Sequence, residues 1–245
     1  MNNSGINQNP AIDQDVLNRI VLEVVERINL ANVHATGPAQ PMQSQQPEGG
    51  LDINPKRIPV GVSVRHVHVC REDMDKLFGP GYELTHLREL YQPNTHAENE
   101  TVSLIGPKMR MLERVRILGP MRDRTQVELA KTDAVFLGID APLRMSGDIA
   151  GSAPITIVGP KGVIELDEGC IRAQRHIHMH PKEAEYFGLK NGDIVKLRVG
   201  GPSAVTFENV VIRVSDKVRL EVHLDTDEGN VADIGCGQEV EIIKD

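Results

Sequence analysis

The sequence predicts a mainly β protein whose body consists of two similar halves. Aromatic residues make up only 3% of the 245 residues and tryptophan is absent. Valine and isoleucine must therefore supply most of the core, and both favour strands. Short apolar runs, several of them separated by Gly-Pro turns, follow one another from residue 58 onwards. An Arg-His-x-His motif with a β-branched x occurs in each half, at residues 65–68 and 175–178.

Residues 1–32 are predicted to contain an amphipathic helix that Asp13 caps. Its apolar side chains recur every three or four residues, and they are Val16, Leu17, Ile20, Val21, Val24 and Ile28. Residues 33–57 are rich in Gln, Pro and Gly, which is typical of a flexible linker. A lone tethered helix either docks back on the body of the protein or binds another protein, and the second arrangement is favoured.

The first half, residues 58–150, is predicted to be a strand-rich domain with one short helix. The predicted elements are a strand at 58–69, a helix at 71–78, a loop at 92–99, strands at 101–105, 114–118, 126–130 and 134–137, and a loop from 141 to 153. The helix is closed by the turn sequence Gly79-Pro80-Gly81.

The second half, residues 151–245, repeats this plan. The predicted elements are strands at 155–158, 162–166 and 171–179, a helix at 181–187 that begins with Pro181, and strands at 194–199, 204–214, 219–224 and 239–244. The turn Asn191-Gly192-Asp193, followed by alternating apolar residues, is typical of small β-barrels.

The net charge of −8 excludes nucleic-acid binding by bulk electrostatics. One segment is nevertheless basic, and within seventeen residues it carries Lys108, Arg110, Arg114, Arg116, Arg122 and Arg124. On an acidic protein such a segment favours a small anionic ligand, and a solvated charged edge is the alternative.

The cysteines and the apolar runs predict a cytoplasmic protein. Cys70, Cys170 and Cys236 are widely spaced and form no CxxC motif, which argues against a disulfide framework or a cysteine zinc module. No apolar run approaches the length of a membrane span, and the chain does not open with the basic segment of a secretory signal.

The two His-x-His pairs predict metal binding. Side chains two apart on a strand point to the same face, so His66 lies beside His68 and His176 beside His178. Imidazole is a common ligand for zinc and similar ions. A single strand histidine is more often a core or surface residue, but two pairs at repeat-related positions favour a metal site.

Alignment of the two halves adds a third ligand to each pair. Residues 127–133 parallel residues 222–227, which matches Glu128 with His223. The predicted ligand sets are His66, His68 and Glu128 in one half and His176, His178 and His223 in the other. Three protein ligands with open positions indicate a catalytic metal, and two such sites suit oxyanion chemistry. No role is assigned to His180, or to His34, His86 and His96, which fall in predicted linker or loop.

Five motifs resemble the PduL-type phosphotransacylases, the phosphate propanoyltransferases, and the resemblance runs from about residue 58 to residue 244. They are Arg65-His66-Val67-His68, the segment 116–122, Gln126-Val127-Glu128-Leu129, Arg175-His176-Ile177-His178 and the segment 223–230. The resemblance implies two β-barrel domains capped by short helices. It also implies conversion of a short-chain acyl-CoA, propanoyl-CoA or acetyl-CoA, and phosphate to acyl phosphate and coenzyme A.

The resemblance further implies roles for individual residues. The two ligand sets would each hold one zinc ion, and Arg122 would correspond to the phosphate-binding arginine of the family. The positions at which the family contacts coenzyme A match Ser63, Arg116, Leu118 and Asn230. Phosphate would attack the thioester directly, so that no acyl-enzyme forms and Cys70 has no covalent role.

Members of this family often carry a tethered helix that targets them to bacterial microcompartments. Residues 13–30 followed by 35–55 resemble that arrangement, so Val16, Ile20, Val24 and Ile28 are predicted to dock on a shell protein. A homo-oligomer is also compatible with this reading.

Two alternatives use the same ligands. A binuclear zinc thioesterase or other hydrolase would employ a metal-bound water in place of phosphate. A metal-binding scaffold protein of a microcompartment would hold metal without turnover, which the open coordination positions disfavour.

Overall fold

A computed structural model describes residues 58–243, which belong to one compact unit. The predicted helix of residues 1–32 and the linker of residues 33–57 lie outside the described residues. In the part that the structure describes, no helix is both long and apolar enough to cross a membrane.

The described strands and helices follow one another closely, and the chain is mainly β. In order they are β1 (Ile58–Ser63), β2 (His66–His68), α1 (Arg71–Phe78), β3 (His86–Glu89), β4 (His96–Ile105), β5 (Met111–Gly119), β6 (Gln126–Glu128), α2 (Lys131–Leu137), β7 (Leu143–Arg144), β8 (Ala153–Val158), β9 (Val163–Ala173), β10 (His176–Met179), α3 (Pro181–Phe187), β11 (Ile194–Val199), β12 (Val205–Val214), β13 (Glu221–Asp225), α4 (Thr226–Ala232) and β14 (Glu239–Ile243).

The described strands form two closed six-stranded barrels, so the two β-barrels that the resemblance implies are confirmed. In the first barrel the order is β4-β5-β2-β6-β9-β8, and β8 pairs again with β4 to close the ring. In the second barrel the order is β1-β13-β10-β12-β11-β14, and β14 pairs again with β1. The short strands β3 and β7 pair with β4 and β9 of the first barrel.

The two barrels have the same pattern of parallel and antiparallel ladders. In the first barrel β2, which carries one histidine pair, runs parallel to β5 and antiparallel to β6. In the second barrel β10, which carries the other pair, runs parallel to β12 and antiparallel to β13. The ladder between β6 and β9 in the first barrel and the ladder between β13 and β1 in the second are both parallel. The duplication inferred from the sequence is therefore present in the strand topology.

Each barrel contains strands from both of the predicted segments, residues 58–150 and residues 151–245. β1 belongs to the second barrel, whereas β8 and β9 belong to the first. The predicted strands 58–69 and 171–179 are each two strands, interrupted at Val64-Arg65 and at Gln174-Arg175, where the chain crosses from one barrel to the other. The apolar alternation shifts by one residue at the first break, from Val60, Val62 and Val64 to Val67 and Val69, but this shift does not indicate that the chain changes barrel.

Each barrel has its own core, which consists mainly of the valine, isoleucine and leucine side chains that the composition indicates. Ile117 and Leu104 are fully buried in the first core, and Leu197 and Ile212 in the second. Burial of each such side chain is worth about 1.5–3 kcal/mol.

The predicted helices α1 and α3 are confirmed, but two other helices were missed. Residues 134–137 were predicted to be a strand, yet they belong to α2, in which Ala134 and Leu137 are buried and Val135 and Phe136 are exposed. Seven residues are too few to display a helical period clearly, so the strand prediction was wrong there. Helix α4 was not predicted, and the predicted loop 92–99 includes the first residues of β4.

Candidate metal centre

The first triad consists of His66 and His68 of β2 and Glu128 of β6, and all three side chains are buried. Their donor atoms lie within 4.8 Å of one another. The two imidazole rings are T-shaped with centroids 4.9 Å apart. Nε2 of His66 is 3.6 Å from Oε2 of Glu128. The strands therefore aim three donor groups at one point.

Backbone carbonyl groups fix the orientation of both imidazoles in the first triad. Nδ1 of His66 donates to the carbonyl oxygen of Val64 at 2.8 Å, and Nδ1 of His68 donates to that of Leu118 at 3.2 Å. A ring that donates through Nδ1 keeps the lone pair of Nε2 for a metal. Burial, reinforced by the charges of His66 and Arg122, lowers the pKa of His68 to about 2. His68 is thus held in its neutral, ligating form.

The second triad consists of His176 and His178 of β10 and His223 of β13. The Nε2 atoms of His176 and His178 are 3.1 Å apart, and the three ring centroids are separated by 4.7–5.0 Å. Burial lowers the pKa of His176 well below its ordinary value and that of His178 to about 3. Three imidazoles whose nitrogen atoms converge in this way are arranged to bind a cation.

The two triads occupy equivalent positions in the two barrels. In the ladder between β2 and β6, His66 lies opposite Glu128. In the corresponding ladder between β10 and β13, His176 lies opposite His223. The alignment of Glu128 with His223, made from the sequence, therefore has a direct counterpart in the register of the strands.

Polar side chains hold the third donor of the first triad. Oε1 of Glu128 accepts hydrogen bonds from Nε2 of Gln126 at 2.6 Å and from Oγ of Ser146 at 2.7 Å. These bonds leave Oε2, the atom nearer to His66, free for a metal. Such supporting contacts fix ligand orientation and tune metal affinity.

The third donor of the second triad is held from both barrels. Nε2 of His223 donates to Oε2 of Glu221 at 2.7 Å, which leaves Nδ1 of His223 for a metal. The same carboxylate oxygen accepts a hydrogen bond from Nε2 of Gln92 at 2.8 Å. Gln92 lies in the connection between β3 and β4 of the first barrel. The first barrel thus supports a ligand of the second triad.

Two arginines, the exposed Arg122 and the half-buried Arg213, contact or lie beside residues of the triads. Arg122 follows β5 and donates from its backbone N–H to the carbonyl oxygen of Val69 at 2.9 Å. Its Nη1 donates to Oγ of Ser146, the hydroxyl that also binds Glu128. Arg213 of β12 is beside His178 in the parallel ladder with β10.

The electrostatic coupling of these arginines joins the two barrels. Partial desolvation lowers the pKa of both Arg122 and Arg213, and the charge of Glu128 opposes that shift in each case. The charge of Arg213 contributes to lowering the pKa of Arg122 and of His178. Two guanidinium groups, one from each barrel, therefore act on the groups of both triads. A bound anion would relieve the repulsion between them.

The donor sets fit zinc and similar divalent metals. Two imidazoles with a carboxylate, and three imidazoles, are both sets that bind zinc with a position left for substrate. The structure brings together all six sequence-predicted ligands, in two groups of three.

The four residues matched to coenzyme A contacts fall into two pairs. Ser63 ends β1 of the second barrel, and Asn230 is exposed on α4. Arg116 and Leu118 lie two apart on β5 of the first barrel. Nη1 of Arg116 donates to backbone carbonyl groups of β4. The role of these four residues in binding coenzyme A stays a prediction.

The basic segment does not act as one surface. Arg110 donates to the carbonyl oxygen of Phe136, and Arg124 forms an ion pair with Glu168. Of the six basic side chains, Arg122 is the one bonded to a group that supports a triad. The anion-site interpretation therefore applies to Arg122, and the charged-edge interpretation to most of the segment.

Sequence reasoning missed four residues of this site. Arg213 interrupts a β-branched run at residues 210–214, and Glu221 precedes His223 by two residues on one strand, so both had a detectable signal. Gln92 and Ser146 lie between strands and had none.

The chain is similar to known proteins over most of its described part. A family model described as phosphate propanoyltransferase matches residues 59–235. A phosphate propanoyltransferase of Lachnoclostridium phytofermentans is 53% identical over 186 residues, which are 76% of this chain and 87% of that protein. One from Thermotoga maritima is 52% identical over 76% of this chain and 89% of that protein. One from Rhodopseudomonas palustris is 44% identical over 85% of this chain and 91% of that protein.

The family model matches more than two-thirds of the chain, and relatives named for this activity are about half identical to it. The chain therefore belongs to the phosphate propanoyltransferase family.

Proposed function

We propose that this chain transfers the acyl group of a short-chain acyl-CoA to inorganic phosphate. The thioester C–S bond breaks, a C–O bond to phosphate forms, and the sulfur leaves as the thiolate of coenzyme A. The observation that carries the proposal is the pair of guanidinium groups, Arg122 from one barrel and Arg213 from the other, whose pKa values are both influenced by the charge of Glu128. The family membership and the names of its relatives agree with it.

Arg122 and Arg213 bind the phosphate in this proposal. A guanidinium group offers a planar fork of donors that matches a phosphate in bidentate fashion. The hydrogen bond from Nη1 of Arg122 to Oγ of Ser146 holds the arginine side chain beside the first triad. Since the two arginines come from different barrels, the phosphate would lie between the triads and would present an oxygen atom to the thioester carbon.

The metals are proposed to be two zinc ions, one held by His66, His68 and Glu128 and the other by His176, His178 and His223. Zinc bound there would polarise the thioester carbonyl group and keep the departing thiol deprotonated.

No cysteine of this chain is placed to form an acyl-enzyme. Cys70 precedes α1, where its backbone N–H donates to Oγ1 of Thr125 and its Sγ accepts from the same hydroxyl. Burial raises the pKa of Cys170 to about 12, which keeps it a thiol. Cys236 is exposed and its Sγ accepts from the backbone N–H of Val62. Direct attack by phosphate needs no such nucleophile.

Propanoyl-CoA is the proposed acyl donor, as the names of the relatives suggest, with acetyl-CoA as the neighbouring candidate. The two differ by one methylene, for which a pocket discriminates by only about 1–3 kcal/mol.

The test is release of coenzyme A thiol from propanoyl-CoA by the full chain. The assay is run with and without phosphate, before chelation, after chelation and after zinc is restored. Release that requires both phosphate and zinc is expected. Zinc-dependent release that ignores phosphate would instead identify a hydrolase, and no release from metal-loaded protein would contradict both activities.

The N-terminal region is proposed to direct the enzyme into a bacterial microcompartment by binding a shell protein. The apolar helix face predicted from the sequence supports this, through Val16, Ile20, Val24 and Ile28. Deletion of residues 1–50 is expected to leave phosphate-dependent thiol release unchanged and to abolish co-purification with shells. Loss of folding on deletion would show that the segment belongs to the core.

A further inference from the structure

A third cluster of metal-ligating side chains lies on the hairpin of β3 and β4, apart from both triads. It consists of His86, His96 and Glu98, whose donor atoms lie within 4.8 Å of one another. None of the three belongs to the two candidate ligand sets that the repeats share. The hairpin has brought a predicted loop histidine, His96, into a regular strand.

The third cluster has the same two-strand geometry as the first triad. His96 and Glu98 are two apart on β4 and therefore share a face. His86 is opposite Glu98 in the antiparallel ladder between β3 and β4. In the first triad, likewise, two ligands two apart on one strand are joined by a third that is opposite one of them. The separation of the His86 and His96 rings, 5.5 Å, is close to the 4.9 Å of the first triad.

His96 and Glu98 are in direct contact inside the cluster. Glu98 is only 2% exposed, and its Oε1 is 2.5 Å from Nδ1 of His96. That Nδ1 atom is buried and yet has no hydrogen-bond partner, so the two atoms face the same point without the geometry of a hydrogen bond. A buried carboxylate needs a compensating charge, and an ion at that point would supply it.

A glycine provides the space that the cluster occupies. Gly119 of β5 lies opposite His96 in the ladder with β4. A Cβ atom at this position would overlap both the ring of His96 and the carboxylate of Glu98. The backbone is thus kept open where the two donors converge, which is the use that glycine has when a group approaches the chain closely.

We propose that His86, His96 and Glu98 form a third site for a divalent metal of the zinc type. Two imidazoles and a carboxylate are a donor set that zinc accepts, and the exposed side of His86 gives an ion access. The ion fastens β3 to β4. This matters for the rest of the molecule because the loop between these strands carries Gln92, the residue that bonds Glu221 beside the second triad.

The site is tested by counting zinc in the full chain. The protein is loaded with zinc, freed of loose ions by gel filtration and analysed for zinc per chain. His86→Gln and Glu98→Gln are each expected to hold one zinc fewer than the wild type. The double variant is expected to lose that same single ion and not two, because both residues would bind one ion. The control is His180→Gln, since His180 caps α3 and belongs to none of the three clusters.

The comparison with wild type keeps this test independent of the triads. The proposal requires His86→Gln to hold one zinc ion fewer than the wild type, whatever number of ions the triads hold. If the two proteins bound equal amounts of zinc, the third site would be ruled out, even if both triads hold zinc and the enzyme is an active phosphotransacylase. His86 is an exposed side chain, so its substitution leaves the buried core intact. If Glu98→Gln fails to fold, the count for His86→Gln decides the question alone.

Discussion

One carboxylate is present at each triad, but in the first barrel it is a member of the triad and in the second it lies beside the triad. In the first barrel Glu128 is itself a donor and the neutral Gln126 lies beside it. In the second barrel His223 is the donor and Glu221 lies beside it. Gln126 and Glu221 are equivalent, since they lie opposite the second histidine of each pair. The repeats have thus diverged in the third member of the triad while keeping one carboxylate at each site.

Gly61 shows how tightly Glu221 is placed. Gly61 of β1 is opposite His223, and a Cβ atom there would lie 2.5 Å from Oε1 of Glu221. We expect Gly61→Ala to displace that carboxylate from His223 and to weaken zinc binding at the second triad by about 10- to 100-fold. Competition with a chromophoric chelator measures the affinity.

The matched control for this prediction is Gly200→Ala. Gly200 has no atoms near the position of an added Cβ and does not need a positive φ. The prediction fails if the two alanine variants bind zinc equally well, because the space beside Glu221 would then not be required.

The proposed anion site predicts a specific kinetic effect. Arg122→Ala and Arg213→Ala should each raise the KM for phosphate by about 10- to 100-fold, since a hydrogen bond to a charged group is worth about 1.5–3 kcal/mol. The KM for propanoyl-CoA should change much less. Initial rates at varied phosphate concentration provide the measurement.

Arg198→Ala is the control for the arginine substitutions because Arg198 is exposed on β11 of the second barrel. An unaltered phosphate KM in the Arg122 variant would remove the role assigned to that side chain. An effect confined to Arg122 would show that Arg213 does not touch the phosphate.

At the scale of elements, the arginine before each histidine pair lies where the chain passes from one barrel to the other, and it forms an ion pair with a residue on a helix. Nη1 of Arg65 is 2.7 Å from Oδ1 of Asp133 on α2. Nε of Arg175 is 2.6 Å from Oε1 of Glu228 on α4. Asp133 and Glu228 are each five residues beyond the third ligand of their triad. The repeated arginine therefore has a structural explanation that does not involve the metal.

The partner of Arg175 gives a prediction about pH. Burial raises the pKa of Glu228, and Arg175 lowers it again in part. Arg175→Ala should therefore raise that pKa further. The folded variant then holds a proton that the unfolded chain releases, so its free energy of unfolding falls as pH rises through this range.

Relative to wild type, we expect the loss for Arg175→Ala to be about 1–3 kcal/mol greater at pH 8 than at acidic pH, where Glu228 is protonated in both proteins. Urea unfolding of chelator-treated protein at several pH values provides the measurement. A loss that does not vary with pH would mean that only the uncharged contacts of Arg175 with the chain matter.

Helices α2 and α4, which follow the third ligand of each triad, also contact each other. The backbone N–H and Oγ1 of Thr132 donate to the carboxylate of Asp227 at 2.8 and 2.6 Å. These residues occupy equivalent positions in the two repeats, one residue before Asp133 and Glu228. These hydrogen bonds thus join equivalent positions of the two repeats.

At the scale of the whole molecule, exchange of strands makes the barrels mutually dependent. Without β1, strands β13 and β14 of the second barrel lose their shared neighbour, and the ring is open. Without β8 and β9, the first barrel loses the two strands between β6 and β4. An open ring exposes unpaired backbone groups and an uncovered core.

We therefore expect a chain cut between residues 150 and 151 to yield fragments that do not fold separately. Circular dichroism and amide proton dispersion should show native structure only when both fragments are present. A fragment of residues 151–245 that folds alone would contradict the strand exchange. The uncut protein under the same buffer conditions is the control.

The sequence by itself determined much of the candidate metal centre, because the relevant signals are local. Alternation along a strand places His66 beside His68 and His176 beside His178. The internal repeat added Glu128 and His223, and the structure brings both sets of three together. Composition and turn residues were sufficient for a mainly β fold of two similar halves.

Only the tertiary structure decided which barrel each strand joins and which side chains meet between barrels. The exchange of β1, β8 and β9 has no local marker, since a strand reads the same in either barrel. Gln92 meets Glu221, and His86 meets Glu98, through ladders and loops that sequence spacing does not reveal. The physical reason is that periodicity fixes the face on which a side chain lies, whereas the partner on that face depends on strand pairing between distant segments.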